Sequence, residues 1–288
     1  MNILLKKMYL YKKLYSAYGF FSMVIILINN LTYKYLKKRY LVTPIEYHKI
    51  YLNNEIIKLS NSKIINGHYK NTYFLNKSHW SKFDHASKLL GLYEEQVQDL
   101  IVKTQRENNL KNFVNIGCGE GYHALGLIKN NFFDKSICYE ISEEARTIFK
   151  ENLKKNNIED KVLIKGEAKN NQINKDLVNL KIEETLFLVD IEGKEFSLFS
   201  DNDLNFLKKG FLIIEDHNFM ISDNALKDNF YSSVKKYFNV SFIQNGSRNP
   251  FNLDSDFMNK LHDDSRFLIL SECRSQKMHW IFLSPKTV

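Results

Sequence analysis

The sequence predicts an α/β protein: a doubly wound, mostly parallel sheet of seven strands, preceded by an N-terminal helical extension. Three observations carry this expectation. After Lys111, short apolar strands alternate with amphipathic helices, the order that builds a parallel sheet with helices on both faces. Runs such as "LFLVD" and "FLIIED" are continuously apolar and end in acids, as strands covered on both sides do. In "FVNIGCGEGYHALGL", residues 113–127, glycine stands at every second position between a strand and a helix, where backbone approaches a ligand closely.

The extension is expected over residues 1–85, and the folded domain over 86–288. Residues 1–45 hold Lys6, Lys7, Lys12, Lys13, Lys34, Lys37, Lys38 and Arg39, with no acid before Glu46. The whole chain has 41 basic and 33 acidic residues, so the body is formally neutral and the net charge of +8 belongs to the N-terminus. A nucleic-acid footprint would instead cluster Lys and Arg on the folded domain. Residues 14–33, "LYSAYGFFSMVIILINNLTY", carry no charge, but their apolar centre is only Phe20 to Ile28. A membrane span, a signal segment, a helix lying on anionic lipid and a helix packed on protein all stay open. The three cysteines form no C-x-x-C pair, so reduced thiols in a cytoplasmic protein are expected, with the cytoplasmic face of a membrane as an option.

From Thr43 to Asp84 the chain lacks a clear period and reads as irregular, with short helices and strands. Leu89, Leu90, Tyr93, Val97, Leu100 and Ile101 recur at three- and four-residue spacing and predict one helix over 84–108. Strands are expected near 112–117, 136–140, 161–165, 185–190, 211–216, 238–244 and 278–283. Helices fit 121–130, 142–156, 194–208 (with Asp201 as an interruption) and 223–237, the second opened by Ser142 as N-cap.

Ligands in such folds bind beyond the carboxyl ends of the strands, so the strand tips are the candidate sites. Gly117 and Gly119 suit a dinucleotide fingerprint, but Tyr122 stands where the third glycine belongs, and no Walker lysine follows. G-x-G-x-G instead suits a loop around a compact group without phosphate, the amino-acid end of S-adenosylmethionine. Glu140, at the tip of the second strand, can accept both ribose hydroxyls of an adenosine. Glu167, at the third tip, can accept the adenine amine. A plain strand–helix turn and a solvated, helix-capping Glu140 are the bland alternatives.

With these residues in view, "FVNIGCGEGYHALGL" resembles the first motif of the Rossmann-like class I methyltransferases. "LFLVDIEGKEFSLF", residues 186–199, resembles the fourth-strand signature of FkbM-type methyltransferases, an aliphatic strand followed by D-x-E-G-x-E. The similarity covers roughly residues 110–220. It implies a cofactor site of Asn115, Gly117, Gly119, Gly121, Glu140, Glu167 and Asp190, and O-methylation of a hydroxyl on a sugar, glycolipid or related small molecule. Methyl transfer to a hydroxyl needs a base or a metal. His217 is the candidate general base, with Glu192 as substitute. Asp190, Glu215 and Asp216 are candidate ligands for Mg²⁺, a hard ion that takes oxygen donors. Glu195, at a helix start, is explained by the helix dipole without function.

Base-amino methyltransferases carry N/D-P-P-Y/F after the fourth strand, where this chain has Asp190, Ile191, Glu192 and Gly193. No proline precedes a cysteine, so a C5-cytosine nucleophile is absent as well. A small-molecule or glycan acceptor is therefore expected rather than nucleic acid, with peripheral membrane contact through the basic N-terminus as an option. The alternative is a catalytically inactive, cofactor-binding or membrane-associated interaction protein that retains the fold.

Overall fold

The computed structural model describes residues 44–286 except Trp80, Lys82, Asn171, Ser247, Asp254, Cys273 and Ser275, and, before them, residues 12, 15–16, 19–21, 23–25, 27–29 and 31–32. The chain divides into two compact units, residues 1–51 and 52–288. In the first, every described position between Lys12 and Thr32 is helical, and Phe20, Phe21, Ile25 and Leu31 are exposed. Among the described residues, no helix is long and apolar enough to cross a membrane. Part of the stretch 14–33, and most of the basic residues around it, lie outside the described residues. Helix α1 (Pro44–Ser60) follows.

The second unit is built on one seven-stranded sheet in the order β3-β2-β1-β4-β5-β7-β6. Its strands are β1 (Asn112–Ile116), β2 (Lys135–Tyr139), β3 (Val162–Lys165), β4 (Thr185–Val189), β5 (Phe211–Glu215), β6 (Phe238–Gln244) and β7 (His279–Pro285). The first five pair in parallel, and β7 enters antiparallel between β5 and β6. This is a doubly wound, mostly parallel α/β sheet of seven strands, as expected.

Side chains alternate between the two faces of each strand. Phe113, Leu186, Leu188 and Ile213 enter one apolar core, and Val114, Phe187, Val189, Leu212 and Ile214 enter the other. Two buried faces are why these strands read as unbroken apolar runs rather than as alternating ones.

The helix expected over 84–108 is two helices, α2 (His85–Leu89) and α3 (Glu95–Asn108). Gly91 at φ +76° and Glu94 at φ +51° turn the chain between them. A Cβ on Gly91 would stand 2.0 Å from the carbonyl oxygen of Asn66, so a distant segment fixes the break.

Two helices follow β1 and β2: α4 (Tyr122–Lys129) and α5 (Glu143–Asn156). Ser142 caps α5 by accepting the Ala145 amide, as its sequence position implied. A single turn, α6 (Ile173–Asp176), comes next. The helix over 194–208 is interrupted, giving α7 (Glu195–Leu198) and α8 (Asp201–Leu207). The interruption is a capping box in which Ser200 and Asp203 each satisfy the other's backbone amide. Helix α9 (Asn224–Tyr237) precedes β6.

The segment before α2 is tied to α5: the amides of Tyr73 and Leu75 donate to the side-chain oxygens of Asn156 and Asn152, both at 2.8 Å.

Candidate active site

A cavity of about 630 Å³ lies along the carboxyl ends of β1, β2 and β4. Its volume is within the range of small-molecule sites. Gly117, Gly119, Glu140, Glu167, Asp190 and Glu192 line one part of it, with Asn115 in the strand beneath.

The glycine loop is anchored at its start, where the amides of Gly117 and Cys118 both donate to the Tyr139 carbonyl at 2.8 and 3.0 Å. Its three glycines have different jobs. A Cβ on Gly117 would stand 1.7 Å from the Asp190 carbonyl oxygen, and one on Gly121 would stand 2.1 Å from the Phe149 ring. These two let chain segments pack. A Cβ on Gly119 would meet nothing within 4 Å, so this glycine alone borders open space, at φ +51°. It is the position where a ligand can approach bare backbone.

Glu140 sits at the tip of β2 as expected. One carboxylate oxygen accepts the Gly119 amide and the other the Ser142 amide, both at 2.8 Å. Each oxygen keeps a further lone pair for a ligand donor. Glu140 thus fixes the loop from the cavity side, while Ser142 does the capping of α5. Glu167 is exposed at the cavity wall, 3.5 Å from the Lys194 ammonium. Asn115 is buried, and its amide points to the Leu188 carbonyl at 3.4 Å.

Behind the cavity wall formed by Asp190 and Glu192, the structure brings these two acids together with Glu195, Glu215 and His217. Their grouping follows from strand geometry. The parallel register pairs Val189 with Ile214, so Asp190 and Glu215 leave neighbouring strand tips side by side. His217 is two residues beyond Glu215 and returns to the same side.

Its ring is 1% exposed, and Nδ1 is hydrogen-bonded to Glu195, itself 0% exposed. A carboxylate only accepts, so Nδ1 carries the hydrogen and, in the neutral ring, Nε2 keeps its lone pair. Nε2 lies 3.5 Å from Glu192, 3.5 Å from Glu215 and 3.8 Å from Asp190. Burial disfavours the charged ring, but the Glu195 bond and the surrounding carboxylates outweigh it and raise the His217 pKa. Burial, then the nearby Glu94, pushes Asp190 up to about 8, and burial and the neighbouring Asp190 push Glu215 up as well.

Asp216 is a correction. It points to the opposite side from Glu215, where it accepts the Asn218 amide at 3.0 Å and the Tyr231 hydroxyl at 2.6 Å and lies 2.8 Å from His279 Nε2. Adjacent residues on a strand face opposite ways. The trio Asp190, Glu215 and Asp216 is therefore not brought together. Among the described residues, the donor atoms that converge are those of Asp190, Glu192 and His217, all within 4.8 Å of one another. Glu195 is a second correction: the dipole reading missed that it is buried against His217.

Arg274, Glu94 and Glu272 escaped the sequence reading. Arg274 lies among Glu94, Glu215 and Glu272 and pairs with all three. Glu94 also accepts from His123 at 2.8 Å, and His123 meets the Tyr69 hydroxyl at 2.9 Å. Burial opposes the charge of Glu94, yet the His123 bond and Arg274 hold its pKa down at about 2. The positive φ of Glu94 and of Glu192 (+55°) marks two places where tertiary contacts hold a costly backbone. No local sequence signal announces Arg274, which reaches the site from the segment before β7.

No family model matches the chain, and no curated protein matches it. Solved structures to which it is similar include several methyltransferases. One is an O-methyltransferase from Bacillus cereus in complex with SAH, 12% identical, covering 87% of this chain and 96% of that one, with a TM-score of 0.44. An rRNA methylase from Streptococcus thermophilus is 13% identical and covers 67% and 96%, with a TM-score of 0.42. A precorrin-6y C5,15-methyltransferase from Geobacter metallireducens is 10% identical and covers 67% and 89%, also at 0.42. These overlaps are loose.

Proposed function

We propose that the chain is an S-adenosylmethionine-dependent O-methyltransferase of FkbM type, acting on a hydroxyl of a sugar, glycolipid or related small molecule. One observation carries the reading. A single cavity joins a phosphate-free glycine loop braced by a carboxylate to a wall holding Asp190 and Glu192. The residues present fit the cofactor: the open side of Gly119 admits a ligand against backbone, and Glu140 has lone pairs to spare for ribose hydroxyls.

When bound, S-adenosylmethionine supplies a methyl group on a sulfonium, open to in-line attack. The Gly119 loop and Glu140 would hold the donor at the early strand tips. Asp190 and Glu192 receive the acceptor, with its hydroxyl turned toward the donor. The hydroxyl proton is drawn toward Glu192, and His217 stands behind that carboxylate, oriented by Glu195. Arg274 pairs with Glu215 and Glu94, so repulsion does not force these acids apart.

The test is mass spectrometry of cell-envelope glycans and small molecules from cells with and without the protein. A species heavier by one methylene, present only with the protein and lost in Glu140→Ala, is expected. Identical profiles, together with no cofactor binding by calorimetry, would leave the inactive-interaction alternative as the better reading.

A further inference from the structure

We infer that Asp190, Glu192 and His217 form a binding site for a divalent first-row transition ion such as Mn²⁺ or Fe²⁺ in preference to Mg²⁺, and that Glu195 is the group that sets the histidine for it. The inference rests on the atoms at the site and holds whether or not the methyl-transfer reading does.

The donor atoms of the three residues already lie within 4.8 Å of one another. Metal–ligand bonds of about 2.1 Å put neighbouring ligand atoms about 3 Å apart and opposite ones about 4 Å apart. The spacings of 3.5 and 3.8 Å from Nε2 are too long for hydrogen bonds and close to that span.

A cluster of acids alone would not argue for an ion. The second observation is His217 itself: a side chain 1% exposed whose Nε2 makes no hydrogen bond among the described residues and faces three carboxylates. One oxygen of Asp190 is likewise without a hydrogen-bond partner. The Glu195–His217 pair has the carboxylate–imidazole form that orients metal-ligating histidines and fixes their tautomer. Glu195 and Glu215 add negative charge close by, and Arg274 is engaged by Glu94, Glu215 and Glu272.

The donor set decides the class of ion. Imidazole suits Zn²⁺, Fe²⁺ and their neighbours, while an all-oxygen set suits Mg²⁺. One nitrogen with two carboxylate oxygens falls between and favours Mn²⁺ or Fe²⁺ over the Mg²⁺ expected from Asp190, Glu215 and Asp216. Glu192 is 43% exposed on the cavity side, so an ion here would keep an open position toward it.

The experiment is titration of the full chain with MnCl₂, without cofactor, followed by electron paramagnetic resonance of free Mn²⁺. One equivalent is expected to bind, and Mg²⁺ is expected to compete only at concentrations at least about tenfold higher. Glu192→Gln, on an exposed side chain that folding does not need, and His217→Gln should each weaken binding by about tenfold or more. Glu195→Gln should weaken it by about 10- to 100-fold. Asp216→Asn should leave it within about twofold, with circular dichroism melts checking each fold.

Absence of Mn²⁺ binding in the intact chain would overturn the site. So would affinity unchanged by both Glu192→Gln and His217→Gln, or lost only with Asp216→Asn. Calorimetry with S-adenosylmethionine on the same samples separates the two proposals. Manganese binding without cofactor binding would defeat the methyltransferase reading alone, and the reverse would defeat the ion alone.

Discussion

The two ends of the site, at the early and at the later strand tips, are built on different principles. At the early strand tips, the site is backbone: three left-handed glycines, two amides on the Glu140 carboxylate, and space beside Gly119. At the later tips, it is side chains: Asp190, Glu192, Glu195, Glu215 and His217, with Arg274 among the buried acids. A backbone site tolerates changes of side chain and fails when a Cβ fills it. A side-chain site tolerates changes of shape and fails when one charge loses its partner.

The largest expected effect is at the later end. Arg274→Ala leaves Glu94, Glu215 and Glu272 buried without their shared cation, and should cost about 3–5 kcal/mol in urea unfolding. A loss below 1 kcal/mol would show that the acids do not depend on it.

At the early end, the same substitution at two glycines should differ. Gly117→Ala places a methyl 1.7 Å from the Asp190 carbonyl and must displace the loop. Overpacking and the left-handed φ together predict a loss of about 3 kcal/mol in thermal unfolding. Gly119→Ala meets nothing and should cost only about 1 kcal/mol, from its φ alone. Equal losses would erase the division between packing glycines and the ligand-facing one.

Two buried imidazoles sharpen the contrast further. His217 has a carboxylate partner, whereas Nε2 of His85 has none, and its ring stacks on Phe74. Burial, then the nearby Lys88, lowers the His85 pKa from 6.5 to about 4. The folded form holds the ring neutral, while the unfolded chain takes up a proton below pH 6.5. Stability contributed by the neutral ring is therefore complete at pH 7 and is lost as pH falls from 6.5 toward 4. The loss should be about 2 kcal/mol between pH 7 and pH 5. His85→Phe, which keeps the stacked ring, should flatten that slope in paired melts. An unchanged slope would assign the acid sensitivity to other groups.

The difference between the ends also explains what could be seen in the sequence. The strands and the glycine loop are local patterns: apolar runs such as residues 186–189, and glycines where a chain turns left-handed. Glu140 follows from its place at a strand tip. Asp216 could have been excluded at that stage, because two adjacent strand residues cannot face one site. Glu195, Arg274 and the break at Gly91 could not be read. Each depends on a partner far along the chain: Glu195 on His217, Arg274 on Glu94, and Gly91 on Asn66. Local periodicity carried residues 84–108 as one helix because the contact that breaks it is not local.

The central claim is that donor and acceptor chemistry divide between the early and the later strand tips of one site. Calorimetric titration of S-adenosylmethionine into Gly119→Arg and Glu192→Gln tests it most directly. Binding should vanish in the first, where a side chain fills the open side of the loop, and stay within about threefold of the parent in the second. Binding retained by Gly119→Arg, or abolished by Glu192→Gln in a folded protein, would contradict it.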